Sequence, residues 1–463
     1  MRLLHKPGAQ DAGARNAAFY LLCVFLVSYF LRLTARVPVL GTMHLDLVLA
    51  AVTALAIVLG RRQTSPGSSP GMDPVAKRLW ILVAYILVTV PFVEWPGSVL
   101  QNLETYAKSL CFFFFVVATV DTTRKLRVLL AVYVATQLWR VLEPLYMHVT
   151  SGYWGSFTSL GNWEYMDRLA GSPYDIINPN GLGFVIIMTL PLLHFLIRPD
   201  TTARRLLWAV AACAMCYALV LSASRSGFLA FVFLCLFVIW RSKYRAPLLA
   251  AGVIGAIIAF MLMTDLQRER YVSIFSHHAK GSQTAEERIS GVIGDFEVSL
   301  RRPLFGHGLG TSREANAHFR GADMPSHDLY TEAAEELGYI GLALLLSLLW
   351  SFLRACQKAR QVVNTASTTD ERLRFLHNVA DSLLVVVAVD LFFSFASFGL
   401  SEPYWYFVGG MSVVTARLAV ELAPPAVKDS PGRGPQGPAV RKRRGLRGSG
   451  VLPSRSAPGV GVR

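Results

Sequence analysis

Apolar residues in this chain fall in continuous blocks rather than at the spacing of a half-buried helix or strand. The blocks lie near residues 16–33, 45–60, 79–94, 103–120, 126–147, 178–197, 204–222, 227–241, 246–264, 338–355, 377–397 and 402–420. Crossing roughly 30 Å of hydrocarbon takes about 20 helical residues, which such blocks can supply. They lack the in/out alternation of a barrel strand, so helices are the spanning element. The pattern predicts an all-α, polytopic membrane protein with about twelve transmembrane helices. Lys108, Arg140 and Glu143 interrupt the fourth and fifth blocks. The first block follows Arg15 like a signal peptide, but no small-residue cleavage site follows it, and it reads as a retained helix.

Between the ninth and tenth blocks lies a long polar segment. The chain thus divides into nine helices over 1–264, a loop over 265–337, three helices over 338–420 and a tail over 421–463. Basic residues recur in alternate short connections: Arg61, Arg62, Lys77 and Arg78; Arg124, Lys125 and Arg127; Arg198, Arg204 and Arg205; Arg241, Lys243 and Arg245; Arg354, Lys358, Arg360, Arg372 and Arg374. Arg32, Arg36 and Arg168 are the main exceptions. This positive-inside bias predicts cytoplasmic termini and a periplasmic long loop.

Composition agrees with the pattern: 53% of the 463 residues are hydrophobic and only 16% charged. The net charge of +15 sits largely in the flanks and in a Pro-, Gly- and Arg-rich tail, which is expected to be disordered and to face anionic lipid. It gives no reason to invoke nucleic acid. All six cysteines lie in or beside apolar blocks, so no disulfide framework is implied for the loop; Cys213 and Cys216 read as packing residues.

Chemistry concentrates on the outer side. Ser222-Ala-Ser-Arg225-Ser-Gly227 joins two apolar helices in a few residues, with Arg225 beside a helix N-terminus. Guanidinium and helix N–H groups together suit phosphate, although a snorkelling interfacial arginine is the plainer reading. Thr284-Ala-Glu-Glu287 reads as a capping box, and Ile289, Val292, Ile293, Phe296 and Leu300 follow at helical spacing up to Pro303. Arg288 in that first turn opposes the helix dipole, which a bound anion would relieve; a surface pair with Glu286 or Glu287 would do so too. Phe305-Gly-His-Gly-Leu-Gly310 has no preceding strand and reads as a tight turn. Pro325-Ser-His327-Asp328 opens a further helix carrying Glu332, Glu335 and Glu336. A histidine there is biased toward the neutral, proton-accepting form, though a lone histidine is more often structural. Tyr153, Trp154, Trp163, Tyr165 and Tyr174 crowd the smaller outer loop, as interfacial anchors or as platforms for sugar faces.

The ordered set resembles the O-antigen ligase superfamily, which includes O-antigen ligases and O-antigen and exopolysaccharide polymerases. It comprises N-P-Asn180-G-L-G, S-R-S-G, E-R288, F-G-H-G-L-G and S-H327-D328-x-Y-x-E332-x-x-E335-E-L-G-x-x-G, from about Asn178 to Gly341. The resemblance implies a GT-C-like glycosyltransferase of the bacterial inner membrane that uses no nucleotide sugar, metal or other cofactor. Its partners would be a polyprenyl-diphosphate-linked (undecaprenyl) glycan donor and a saccharide acceptor, either a growing chain or lipid A-core. Membrane lipid surrounds it, and chain-length or export proteins are further candidates. Arg225 and Arg288 match the family arginines associated with the diphosphate, and His327 matches the histidine associated with catalysis. Asp328, which stands where the family often has asparagine, is a supporting candidate together with Asn180, Glu332 and Glu335. Such chemistry, by direct displacement, would invert the anomeric centre.

Two rivals remain. A lipid-linked glycan flippase would place functional charge at mid-membrane, where Asp390 is the clearest candidate. A serine hydrolase using Ser224 or Ser226 with His327 lacks a nucleophile elbow.

Overall fold

Every one of the twelve apolar blocks is helical, because a helix satisfies its backbone N–H and C=O groups internally. In chain order the helices are α1 (Ala9–Phe30), α2 (Leu33–Arg36), α3 (Pro38–Thr42), α4 (Leu45–Arg62), α5 (Pro74–Thr89), α6 (Pro96–Thr119), α7 (Thr123–Ser151), α8 (Pro179–Ile197), α9 (Thr202–Ser222), α10 (Arg225–Arg241), α11 (Arg245–Leu262), α12 (Asp265–Val272), α13 (Gln283–Ser299), α14 (Ser312–Arg320), α15 (Leu329–Thr365), α16 (Glu371–Phe393) and α17 (Pro403–Leu422). This computed structural model describes residues 9–62, 72–161, 164–197, 201–272, 283–366, 370–397 and 399–423. The tail from Pro424, Trp163, Arg198 and the side chains of the expected capping box at Thr284–Glu287 lie outside the described residues.

Among the described residues, six segments are long and apolar enough to cross a membrane: Pro74–Phe92, Thr123–Ser151, Pro179–Ile197, Thr202–Ser222, Leu329–Thr365 and Glu371–Ala396. The rest of the expected twelve are helices of shorter or less apolar sequence. Side chains such as Leu206, Val210, Leu236, Trp240, Ile254 and Ile257 point outward. In water that would be a costly surface; against lipid tails it is solvated. The chain is an all-α, polytopic membrane protein.

Starts follow the local chemistry. Thr122, Thr201, Ser224, Asp328 and Asp370 each accept a backbone N–H in the first turn of α7, α9, α10, α15 and α16. Pro74, Pro96 and Pro403 stand in the opening turns of α5, α6 and α17, where no N–H is missed. The charges interrupting α6 and α7 are paired. Lys108 Nζ lies 2.7 Å from Glu104 one turn away, and Arg140 lies 2.6 Å from Asp175. Glu143 is bound by the Arg36 guanidinium. Charge can enter an apolar helix where its partner is built in.

At the centre, α17 packs on α6, α15 and α16, while α8 packs on α7, α9, α10 and α16. α13 rests on α15, which brings the long loop over the bundle. At Gly338, with φ 69° and ψ 178°, α15 kinks between its acidic first turns and its apolar length. A Cβ there would sit 2.4 Å from the carbonyl oxygen of Leu304, so glycine is required.

One stretch departs from the all-helical expectation. β1 (Gly155–Gly161) and β2 (Glu164–Leu169) pair antiparallel, with Ser156 opposite Arg168 and Thr158 opposite Met166. Met166 and Arg168 are buried while Tyr165 and Asp167 are exposed, the two-residue alternation of a strand. The hairpin thereby turns Arg168 inward.

Candidate functional site

The site begins at the turn between α9 and α10. Ala223 has φ 45°, a left-handed conformation that non-glycine residues seldom adopt. The surrounding contacts hold it there. Arg168 Nε donates to Ser222 O at 2.9 Å, and Arg270 Nε donates to Ala223 O at 2.9 Å. Both guanidinium groups thus sit at the negative end of α9. Ser224 then caps α10, its Oγ accepting from Gly227 N at 3.1 Å and donating to Asn180 Oδ1 at 2.9 Å. Asn180 Oδ1 also accepts from Arg168 Nη2 at 3.1 Å. Such closeness needs small residues on α8. A Cβ on Gly183 would stand only 3.3 Å from Ser224 Oγ.

The long loop supplies the other wall. Asp295 accepts from Asn316 at 2.8 Å and from Arg320 at 3.3 Å, tying α13 to α14. Glu336 accepts from Gly310 N at 2.7 Å and Ser312 N at 3.2 Å, which pins the glycine-rich turn to α15 and places an acid at the start of α14. On this frame α13 carries Arg288. His327 precedes the cap of α15, where Asp328 accepts from Tyr330 N at 2.8 Å and Thr331 N at 2.9 Å.

Two cavities meet here. The first, of about 580 Å³, is lined by Arg168, Arg225, Arg270, Arg288 and Arg320 against a single acid, Asp295. Since Arg320 bonds Asp295, four guanidinium groups dominate it. Burial pushes Arg168 down to about 9, and repulsion from Arg270 adds to the shift. Arg270 is pushed down to about 10, by burial and then by Arg225. Arg225 is lowered by burial and by Arg288, and Arg288 by burial. All four stay cationic at neutral pH, so a multiply charged anion would relieve their mutual repulsion.

The second cavity, of about 660 Å³, has a different character. It is lined by four basic and four acidic side chains, with rings of Phe184, Tyr404 and Trp405 among them. Asn180, Arg288 and His327 line both cavities. Burial, then the charge of Arg288, lowers the His327 imidazole, with Asp295 opposing. His327 is therefore neutral at neutral pH and able to accept a proton.

The sequence-expected residues distribute unevenly. Arg225, Arg288, His327 and Asn180 come together at the two cavities. Glu332 lines the mixed cavity, but its Oε2 accepts from Gly399 N at 2.8 Å and Leu400 N at 3.2 Å, so it also holds the loop before α17. Asp328 is occupied in capping. Glu335 is fully buried and is not among the residues lining either cavity. Among the described outer aromatics, Trp154 packs on His148, Tyr165 on Phe157 and Tyr174 beneath Arg36, and none lines either cavity. Ser224 Oγ is engaged in its cap. Among the described residues, no three His, Cys, Asp or Glu side chains gather to hold a metal ion.

Sequence reasoning did not pick out Arg168 and Arg270 as site residues. For Arg168 a signal existed, as an outer-side exception to the charge bias. Arg270 gave none, because long loops escape that bias.

No curated protein matches the chain. Residues 183–346 match the family model described as O-antigen ligase, a segment that contains Arg225, Arg288 and His327. Over this segment, which is less than half of the chain, the protein is similar to the O-antigen ligase family, within a multi-pass helical architecture.

Proposed function

We propose that the chain transfers a glycan from a polyprenyl diphosphate to a sugar hydroxyl at the periplasmic face of a bacterial inner membrane, in polymerisation or ligation of a surface polysaccharide. The observation that carries this reading is the four-arginine cavity opening beside a neutral His327. A diphosphate leaving group needs its growing charge matched more than it needs a proton, and preorganised guanidinium groups supply that match. The acceptor hydroxyl has a high pKa and gains from a positioned base.

The step balances as an in-line displacement. The acceptor oxygen forms a bond to the anomeric carbon, and the bond from that carbon to the diphosphate oxygen breaks with its electron pair. The acceptor proton passes to the imidazole of His327 and then to solvent. Configuration inverts, and the polyprenyl diphosphate departs among the arginines.

The test uses purified protein in lipid with a synthetic polyprenyl-diphosphate glycan. Arg225→Lys and Arg288→Lys keep the charge and lose the planar fork, so each should lose most donor binding and transfer while still inserting. Near-normal transfer by both would overturn the diphosphate assignment. Deletion of the gene separates the two roles: a lost ligase leaves long chains on the carrier, a lost polymerase leaves single repeats.

A further inference from the structure

Asp390 is a carboxyl in the last turn of α16, 3% exposed, on the wall of the mixed cavity. Its Oδ2 has no hydrogen-bond partner. A buried, unsatisfied oxygen costs on the order of 1–3 kcal/mol, so it marks a place where a donor is expected. Glu402 lines the same cavity, within electrostatic reach of Asp390 and of Arg140 and Arg32.

The lining selects among ligand classes. Lys108 and Arg140 are already paired with Glu104 and Asp175, and the remaining lining mixes carboxyls with bases, so this cavity has no cation cluster like the first to attract a second phosphate. A polyprenyl tail would leave those charged groups unsolvated. Sugar hydroxyls both donate and accept, and their C–H faces suit the rings of Tyr404 and Trp405. A volume of about 660 Å³ falls in the range of small-molecule sites.

We propose that the mixed cavity is the acceptor-saccharide subsite, in which Asp390 and Glu402 receive hydroxyls of the sugar whose free hydroxyl meets His327. This rests on the transferase reading above, which supplies the direction of attack. In-line displacement puts the nucleophile opposite the leaving group. With the diphosphate among the arginines, the far side of His327 and Arg288 is the mixed cavity.

The experiment measures two ligands on the full-length protein in lipid: a panel of methyl glycosides, including neutral hexosides and a hexosaminide, and inorganic pyrophosphate. Saturation-transfer NMR should show glycoside binding that falls about tenfold in Asp390→Asn and in Glu402→Gln, with pyrophosphate affinity unchanged. If either variant fails to fold, the other decides. Glycosides that do not bind the parent, or that bind both variants as tightly as the parent, overturn the subsite. The transferase reading is tested separately by the other ligand: pyrophosphate that binds Arg225→Lys like the parent counts against the diphosphate site, whatever the glycosides do.

Discussion

Arg168→Lys tests whether the arginine cradle acts through geometry or through charge alone. Arg168 spreads its fork over Ser222 O at 2.9 Å, Thr158 Oγ1 at 3.2 Å and Asn180 Oδ1 at 3.1 Å. A lysine ammonium on a flexible stem can keep one of these partners in place and strands two. At about 1.5 kcal/mol for each hydrogen bond to a charged group, the loss is about 3 kcal/mol. That corresponds to roughly a hundredfold in kcat/KM. The new ammonium would also be buried beside Arg270, so it would shed its proton more readily than a solvated lysine. Activity of the variant should therefore fall at a lower pH than that of the parent, whose Arg168 is itself pushed down only to about 9. The assay is donor-dependent transfer in lipid, with kcat and donor KM measured across pH. Arg313→Lys is the matched control, since Arg313 pairs with Asp323 at an exposed site and should stay within threefold of the parent. An Arg168→Lys enzyme also within threefold, with the parental pH profile, would refute the argument.

Other substitutions probe the remaining parts. His327→Gln keeps a hydrogen-bonding side chain that takes no proton at neutral pH, and should cost about 10²–10⁴ in rate while donor binding survives; parental turnover would reduce His327 to an orienting contact. Because the imidazole is lowered, protonation begins below its ordinary value of 6.5, and the acid limb of the parental pH profile should lie under that value; a limb above it would contradict the burial argument. Gly338→Ala forces a Cβ to within 2.4 Å of Leu304 O at φ 69° and should cost at least ~1–3 kcal/mol, read as a lowered Tm in detergent. An unchanged Tm would mean that the kink is not constrained. For orientation, Glu297→Cys should react with an impermeant thiol reagent in cells with a permeabilised outer membrane, and Gln361→Cys should not; the reverse pattern would invert the topology.

What the sequence made legible was what depends on neighbours along the chain. Helix positions follow from apolar runs, and the place of Arg225 at a helix start is visible in the residues themselves. The role of Asp328 shows the limit. Beside His327 it reads as a supporting site residue, yet its carboxylate is taken by Tyr330 N and Thr331 N. The hairpin was not legible from alternation, because Tyr165 and Met166 are adjacent and the charged Arg168 takes an inward position, so apolar residues do not fall at every second place.

The other half of the arginine cradle, Arg168 and Arg270, was not picked out, because the cradle exists only where distant segments close on one turn. The α9–α10 junction presents opposite dipole ends within three residues. Carbonyls at the end of α9 hold Arg168 and Arg270, while Arg225 stands at the N-terminal end of α10, where an anion is favoured. One amide oxygen, on Asn180, takes hydrogen bonds from both Arg168 and Ser224, which ties the β-hairpin, α8 and the cap of α10 together. The left-handed Ala223 is the strained residue at the centre of that closure. Strain at such a turn is stable only when its surroundings over-determine it. Here the residues that hold the turn are also cations of the cavity, which couples the geometry of the turn to the charge that the proposed diphosphate would meet.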